Sequence, residues 1–352
     1  MAGKVTTVKD VALLSGVSRG TVDRVLHNRP GVSAENIRKV REAVEQLGFE
    51  PNVNASALAQ RKPRMIALLM PSFGKGEYWE KMYEGFMEGC ESNRHMSIHG
   101  VHFSYDASDP ETFRKACDEL LEAKPSGVVL SPFFLEAMLE FTRVLHSKAI
   151  PYVYVDSRLD DPNYLAYFGV PMYRSGYLCA SLLTMGQKTE EVREVAVVRI
   201  FRDKERKADP TLQRRMGFYE YMNENFPECS IYNIFIDPQN KESIGRTLDE
   251  FFSRHPEVRH VVMFNSRLYL LDDYLKSHPD RNRRVVGFDS LEANMSMLKS
   301  SRVSCLIAQH IEVQSQLAVD TLSQFLIRPR PLESKEHHMH MDILTRYNEK
   351  NY

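Results

Sequence analysis

Ser18, Arg19, Thr21 and Arg24 carry the side chains a nucleic acid would need, and they fall within the run SRGTVDRVL. Val22, Val25 and Leu26 recur there at helical spacing, which leaves Arg19, Gly20, Asp23 and Arg24 on the opposite side. An arginine so placed can hold a guanine O6/N7 edge through two hydrogen bonds. Ser18, Thr21 and the first amides of the helix suit phosphate oxygens. Asp23 is the odd member, because a carboxylate facing phosphate is repelled. It either pairs with Arg19, four residues back, or with Arg24 and fixes that side chain, or it accepts from a cytosine amino group. A second set of residues suits a small molecule. Asp156 closes YVYVD and Asp289 closes RVVGFD, and a carboxylate at a strand's carboxyl end can accept two hydroxyl protons or, in the plainer reading, cap the next helix. Tyr78-Trp79 offers flat faces for the CH patches of a sugar ring, or packs inside a helix core.

The elements that must hold these groups are legible nearby. Thr7 can cap a first helix, with Asp10 completing a capping box and Val8, Val11, Ala12 and Leu14 as its buried face. Gly16 can take the positive φ of a tight turn, and Ser18 caps the second helix. Ser33 caps a third, running through Ile37, Val40, Val44 and Leu47, and Gly48 stands where it would stop. The result is an all-α headpiece with a helix-turn-helix. From Met65 onward, short apolar runs alternate with amphipathic segments: residues 65–70, 127–131, 152–156, 195–200, 231–236, 260–264, 284–289 and 303–309 read as buried strands. That pattern predicts an α/β body with largely parallel sheets, divided into two doubly wound lobes with a cleft at their strand ends.

DVALLSGVSRGTVDRVL, followed by RPGVSAENIRKVREAVEQLGFEPNVNASALA, resembles the headpiece and hinge of the LacI family of bacterial transcriptional regulators. The resemblance implies that the second helix lies in an operator's major groove, that Pro51-Asn52 opens a hinge helix, and that Leu58, flanked by Ala55, Ala57 and Ala59, wedges into the minor groove. The plain reading of Leu58 is an apolar residue covering a helix seam. Two departures stand out: Asp23 where the family usually has serine, and His27 where it usually has asparagine after the reading helix. Thr7, Ser18, Arg19, Gly20, Thr21, Asp23, Arg24, His27, Asn52, Ala55 and Leu58 form the expected DNA-binding set.

The body looks like the type I periplasmic-binding-protein-like domain that this family uses as a sensor. The likeness rests on Tyr78-Trp79 with Met82 and Gly85, the run Tyr173-Arg174-Ser175-Gly176-Tyr177, Arg214 ahead of Gly217-Phe218, Asn265 after a strand, Val285 to Asp289, and Gln309. It implies that Arg214 is the cleft arginine, gripping a hydroxyl pair or a carboxylate. Phe73, Tyr78, Trp79, Asp156, Arg158, Arg214, Asn265, Asp289 and Gln309 are the expected effector contacts. Arg158, with Arg199 or Arg202, adds positive charge near strand ends and points to an anionic effector, a sugar acid or sugar phosphate. The Asp that the family often places before Tyr-Arg-Ser-Gly is replaced by Gly169-Val170-Pro171-Met172.

Charge is divided along the chain. Eleven Lys and Arg face six Asp and Glu through Arg64, so the head carries +5 and, with a chain total of −1, the remainder carries −6. A basic head on a mildly acidic body fits DNA binding at one end. No apolar run approaches the length of a bilayer span, and the amino terminus has no secretory pattern, so a cytoplasmic protein is expected. Cys90, Cys117, Cys179, Cys229 and Cys305 lack CxxC spacing and read as buried free thiols. His337-His338-Met339-His340 raises a metal reading, but the alternation with Met339, Met341 and Ile343 is that of a strand. Phosphate-loop, dinucleotide, GxSxG and HExxH frames are missing, so neither an enzyme nor a cofactor is expected.

The expected layout is a headpiece over residues 1–50, a hinge helix and linker over 51–63, and a two-lobed domain over 64–346, with one lobe from about 64–170 and 310–335 and the other from about 171–309 and 336–346. The expected partners are a pseudo-palindromic operator, a sugar or sugar derivative, and a second copy of the chain, as a dimer that could pair into a tetramer. A solute-binding receptor without a DNA role is the alternative.

Overall fold

The computed structural model describes residues 8–26, 31–47, 63–200, 211–280 and 282–349. Thr7, His27, Gly48, Asn52, Ala55, Leu58 and Arg202 lie outside the described residues. The chain divides into two units at Lys62 and Pro63.

The first unit holds helices α1 (Val8–Ser15), α2 (Arg19–Leu26) and α3 (Ala34–Gln46). Gly16 takes φ +67° in the turn between α1 and α2. The Ser18 hydroxyl oxygen accepts from the Thr21 amide at 3.2 Å, and Ser33 accepts from the Asn36 amide at 3.4 Å, so both caps form as the sequence predicts. Val11, Val22, Val25, Val40 and Ala43 make a small core. Leu14 departs from expectation and is exposed, as is Leu13. Ser15 is buried in its place, its hydroxyl donating to the Val11 carbonyl at 2.7 Å, which lets a polar residue sit on the inner face.

The second unit contains two six-stranded sheets of the same design. In the first, β1 (Arg64–Pro71), β2 (Ile98–Tyr105), β3 (Gly127–Leu130), β4 (Tyr152–Val155) and β5 (Ala166–Gly169) lie in the order β5-β4-β3-β1-β2. In the second, β6 (Glu194–Ile200), β7 (Ser230–Ile236), β8 (His260–Met263), β9 (Arg284–Phe288) and β10 (Cys305–Ala308) repeat it as β10-β9-β8-β6-β7. These strands pair in parallel and are linked by helices, the arrangement expected from the alternating pattern, except that β4 passes to β5 through residues 156–165 without one. Helices α4 (Tyr78–Ser92), α5 (Pro110–Glu122) and α6 (Leu135–Ser147) belong to the first lobe; α7 (Met172–Thr184), α8 (Leu212–Asn225), α9 (Lys241–Arg254), α10 (Asp272–Ser277) and α11 (Glu292–Lys299) belong to the second. The chain then returns, and α12 (Ile311–Ile327) buries Ile311, Ala318, Val319 and Leu322 against the first sheet.

The last strands correct the expected lobe limits. β11 (Glu336–His338) pairs in parallel with β5 of the first sheet, and β12 (Asp342–Leu344) pairs antiparallel with β10 of the second. Residues 336–338 therefore belong to the first lobe, and the chain recrosses after them. The strand expected through the histidine-rich run is formed only in part: His337 and His338 lie in β11, with His337 stacked on Phe168 at 4.6 Å, whereas Met339, His340 and Met341 connect β11 to β12. Four cysteines are buried and Cys229 is half-buried.

Helices α7 and α8 cross at backbone contact. A Cβ on Gly176 would overlap the Arg214 carbonyl oxygen, and one on Gly217 would overlap that of Tyr173. Only glycine permits this approach, and it brings Arg214 against Ser175.

Candidate DNA-reading face and effector cleft

On α2, Val22 and Val25 are buried, while Ser18, Arg19, Gly20 and Arg24 are exposed and Thr21 and Asp23 are half-exposed. The Ser18 and Thr21 hydroxyls lie 2.9 Å apart, so two phosphate-compatible groups share one edge of the helix start. The outward set is the one expected from periodicity.

In the second unit, a cleft of about 360 Å³ opens at the carboxyl ends of the strands of both lobes. Tyr78, Trp79, Asp156, Arg214, Asn265, Asp289 and Gln309, all expected from the sequence, line it. Phe73 and Arg158 do not. Phe73 packs on Tyr83 at 5.7 Å, and Arg158 pairs with Glu336 of β11 at 2.8 Å. Arg199 lies over the Phe235 ring at 4.9 Å and is likewise absent from the lining. The anionic-effector expectation thus loses Arg158 and Arg199, the described arginines that prompted it.

Arg214 is 4% exposed and is held by the protein itself. Its Nε donates to Ser175 Oγ at 2.8 Å, Nη1 to the Phe264 carbonyl at 2.6 Å and Nη2 to Gln309 Oε1 at 2.6 Å. The guanidinium also lies over the Phe288 ring at 3.9 Å. Gln309 passes the connection on, its Nε2 donating to Asp289 Oδ1 at 2.8 Å. Arg214 therefore acts first as a buried counter-charge that orients Gln309 and faces two carboxylates.

Those carboxylates occupy matching corners. Asp156 follows β4 and Asp289 follows β9, and both take left-handed backbone angles, φ +70° and +68°. Each amide donates to the neighbouring strand, Asp156 to Phe168 and Asp289 to Ile307. Asp is among the few side chains that tolerate this region, and the turn carries the carboxylate into the cleft. Tyr78 donates its hydroxyl to Asp156 Oδ1 at 2.6 Å, so each carboxylate has one oxygen engaged by the protein. Burial pushes the Asp289 carboxyl up to about 7, against the pull of Gln309 and Arg214. Burial raises Asp156 as well, opposed by the Tyr78 hydroxyl and Arg214.

Sequence reasoning missed two further acids. Asp106 follows β2 and Asp237 follows β7, again at matching places, and each turns one oxygen back to the amide two residues on. The strand-end rule that selected Asp156 and Asp289 applies to both. Phe133, Phe264 and Tyr269 extend the aromatic wall. Asn265 lines the cleft while its Oδ1 accepts from the Arg267 amide at 2.9 Å. Lys81 and Ser290, 3.4 Å apart, and Glu77 and Arg267, 3.8 Å apart, connect the two lobes across the cleft.

Residues 7–52 match the bacterial regulatory proteins of the lacI family, and residues 66–327 match the periplasmic binding protein domain. A Bacteroides fragilis protein assigned to the LacI transcriptional regulators has a crystal structure that superposes with a TM-score of 0.78 at 31% identity, covering 83% of this chain and all of that one. The chain belongs to the LacI family. The HTH-type transcriptional regulator MalR of Streptococcus pneumoniae is 20% identical over 323 residues, 89% of this chain and 92% of that protein. The same body fold occurs in a solute-binding protein from Agrobacterium radiobacter in complex with D-arabinose, with a TM-score of 0.70, 15% identity, and coverage of 82% of this chain and 96% of that one. This LacI-family chain is therefore a DNA-binding transcriptional regulator, and the receptor alternative is not favoured. No described helix is long and apolar enough to cross a membrane.

Proposed function

We propose that this LacI-family regulator binds a sugar in the interlobe cleft and that occupancy changes its affinity for a pseudo-palindromic operator, with relief of repression as the working mode. The observation that carries this reading is the pair of matched corners: Asp156 and Asp289 face one cavity from opposite lobes, each with a carboxylate oxygen left for a ligand among the described residues. Such oxygens only accept hydrogen bonds when ionised, so the ligand must donate. Hydroxyls do this, and the aromatic faces of Tyr78, Trp79 and Phe133 cover the apolar side of a sugar ring. Arg214, already held by four protein groups, orients the site more than it attracts an anion.

The DNA-binding role is assigned to Ser18, Arg19, Gly20, Thr21, Asp23 and Arg24 on α2. We place a homodimer behind it, because one headpiece reads a half-site and paired heads set spacing on the operator. Exposed apolar side chains support this: Met87 and Val101 stand on α4 and edge strand β2 of one lobe, and Leu212, Met216 and Phe235 on α8 and edge strand β7 of the other. Lobe closure around a ligand would change how two such copies meet, and that is the proposed link to the operator.

The test is operator binding by fluorescence anisotropy with a panel of sugars, sugar acids and sugar phosphates. The expected result is steeply salt-dependent binding, weakened by at least one neutral sugar, and lost when residues 1–62 are deleted. Binding that survives the deletion would move DNA reading away from α2.

A further inference from the structure

The two carboxylate corners are alike in backbone and unlike in what holds them. In the second lobe, the fully buried Asn294 directs its amide nitrogen at the carbonyls of Ser266, Phe288 and Asp289, at 2.8, 3.1 and 3.1 Å, and its oxygen accepts from the Tyr269 amide at 2.9 Å. All of these partners belong to the second lobe. The Asp289 main chain is therefore locked within its own lobe.

The Asp156 corner is tied to the places where the chain passes between lobes. Its amide donates to Gln314 Oε1 at 3.1 Å as well as to Phe168, and Gln314 Nε2 donates to the Gln309 carbonyl at 2.7 Å. Its carbonyl accepts from the Tyr167 hydroxyl at 3.1 Å, which also lies 3.4 Å from the Val170 carbonyl. Val170 follows β5, and Gln309 precedes α12, so each stands in a crossover. Gln309 is held from both sides: its main chain by Gln314 of the first lobe, its side chain by Asp289 and Arg214 of the second.

We infer that Gln314 and Tyr167 are positioning residues that make the Asp156 corner move with the crossovers, so that a ligand donating to Asp156 biases the lobe angle, while Asn294 makes the Asp289 corner a fixed anchor. Gln314 is fully buried on a helix face shared with Ile311, Ala318, Val319, Leu322 and the small Ser315 and Ser323, and among these it is the one long polar side chain. An apolar side chain would fill that place without an amide to satisfy, and a buried amide with both ends engaged specifies one arrangement. Gly169 serves the same arrangement, since a Cβ there would overlap the Tyr167 hydroxyl. Rotation of the lobes is taken up in the crossovers, and in the one that holds Gln309 it strains either the link to Gln314 or the links to Asp289 and Arg214.

The inference rests on reading the cleft as the effector site, but its test needs no effector, so the two can fail separately. Hydrogen exchange followed by mass spectrometry on the full chain compares Gln314→Met, Gln314→Glu and Asn294→Ala with the unaltered protein. Gln314→Met is expected to speed exchange about five- to tenfold in both segments 152–158 and 308–314, the loss of about one hydrogen bond's worth of protection. Gln314→Glu keeps an acceptor for the Asp156 amide and, once its carboxyl is ionised at alkaline pH, removes the donor to Gln309, so 152–158 stays protected while 308–314 loosens there; at lower pH the protonated carboxyl donates to Gln309 in place of the amide and both segments stay protected. Asn294→Ala is expected to loosen 264–294 and leave 308–314 unchanged. Uniform loosening of the first lobe by either Gln314 variant, loosening of both segments alike by Gln314→Glu, or loosening of 308–314 by Asn294→Ala would overturn the inference.

Discussion

The headpiece places Ser18, Arg19, Thr21 and Arg24 on one short helix, whereas the cleft collects Tyr78, Asp156, Arg214, Asp289 and Gln309 from distant parts of the chain and from two lobes. The first site depends on local terms: two hydroxyl caps, a turn glycine and a handful of valines. The second depends on close helix crossing, left-handed corners and a buried arginine with four protein partners. A substitution in the reading face should therefore act on that face alone, while one in the cleft should spread through its shared network.

The largest expected break is at Arg214. Arg214→Leu removes the counter-charge between Asp156 and Asp289 and leaves Gln309, Ser175 and the Phe264 carbonyl short of a donor. Breaking a buried charge network in this way costs about 3 to 5 kcal/mol, to be read by denaturant unfolding of the full chain, with ligand binding lost as well. An equal loss of stability from Arg19→Ala would erase the contrast between the two sites.

Next is Asp289→Asn, which keeps the side chain's shape and its bond to Gln309 but removes the charge. It should weaken sugar binding by about 2 kcal/mol, the worth of a charge-assisted hydrogen bond, and calorimetry would measure it. The same variant checks the pH response. Because burial holds the Asp289 carboxyl at about 7, the native state keeps a proton that the unfolded chain has already released. Stability therefore falls as pH rises from the ordinary carboxylate range through 7. A donated hydroxyl favours the ionised carboxylate, so sugar affinity should rise across the same window and binding should release a proton. Asp289→Asn should flatten both profiles.

Arg19→Ala should weaken operator binding by about 1 to 3 kcal/mol and relax preference at one base pair per half-site, while leaving sugar affinity of the DNA-free protein unchanged. Uniform weakening on every sequence would make Arg19 a phosphate contact. The smallest effect belongs to Ser33→Ala, which removes the cap of α3 and should lower headpiece stability by about 1 kcal/mol, visible as an earlier thermal transition.

The same contrast governs what could be read from the sequence. Caps at Ser18 and Ser33 and the turn at Gly16 are short-range, and the structure forms them as expected. Leu14 was misplaced because the helical stripe admits Ser15 once its hydroxyl bonds back to Val11. In the body, apolar runs located the central strands, whereas β2 alternates polar and apolar residues as an exposed edge and β5 is only AYFG, so neither stands out. Asp156 and Asp289 were legible because strand ends point one way in a parallel sheet. Arg158, two residues further, has turned away toward Glu336, a partner brought alongside only by the return of β11. Gln314 gave no signal, because a glutamine on an amphipathic helix reads as solvent-facing until the sheet beneath it is known.

The central claim, that a ligand in the cleft controls DNA reading by the headpiece, is tested most directly by operator titrations with and without each neutral sugar of the panel, run in parallel on the unaltered protein and on Asp289→Asn. The account predicts that at least one sugar shifts operator affinity in the unaltered protein, that the operator shifts the affinity for that sugar by the same factor, and that Asp289→Asn still binds operator but needs about thirtyfold more sugar for the same shift. A shift that Asp289→Asn shows at the same sugar concentration as the unaltered protein, or operator affinity unmoved by every sugar, would contradict it.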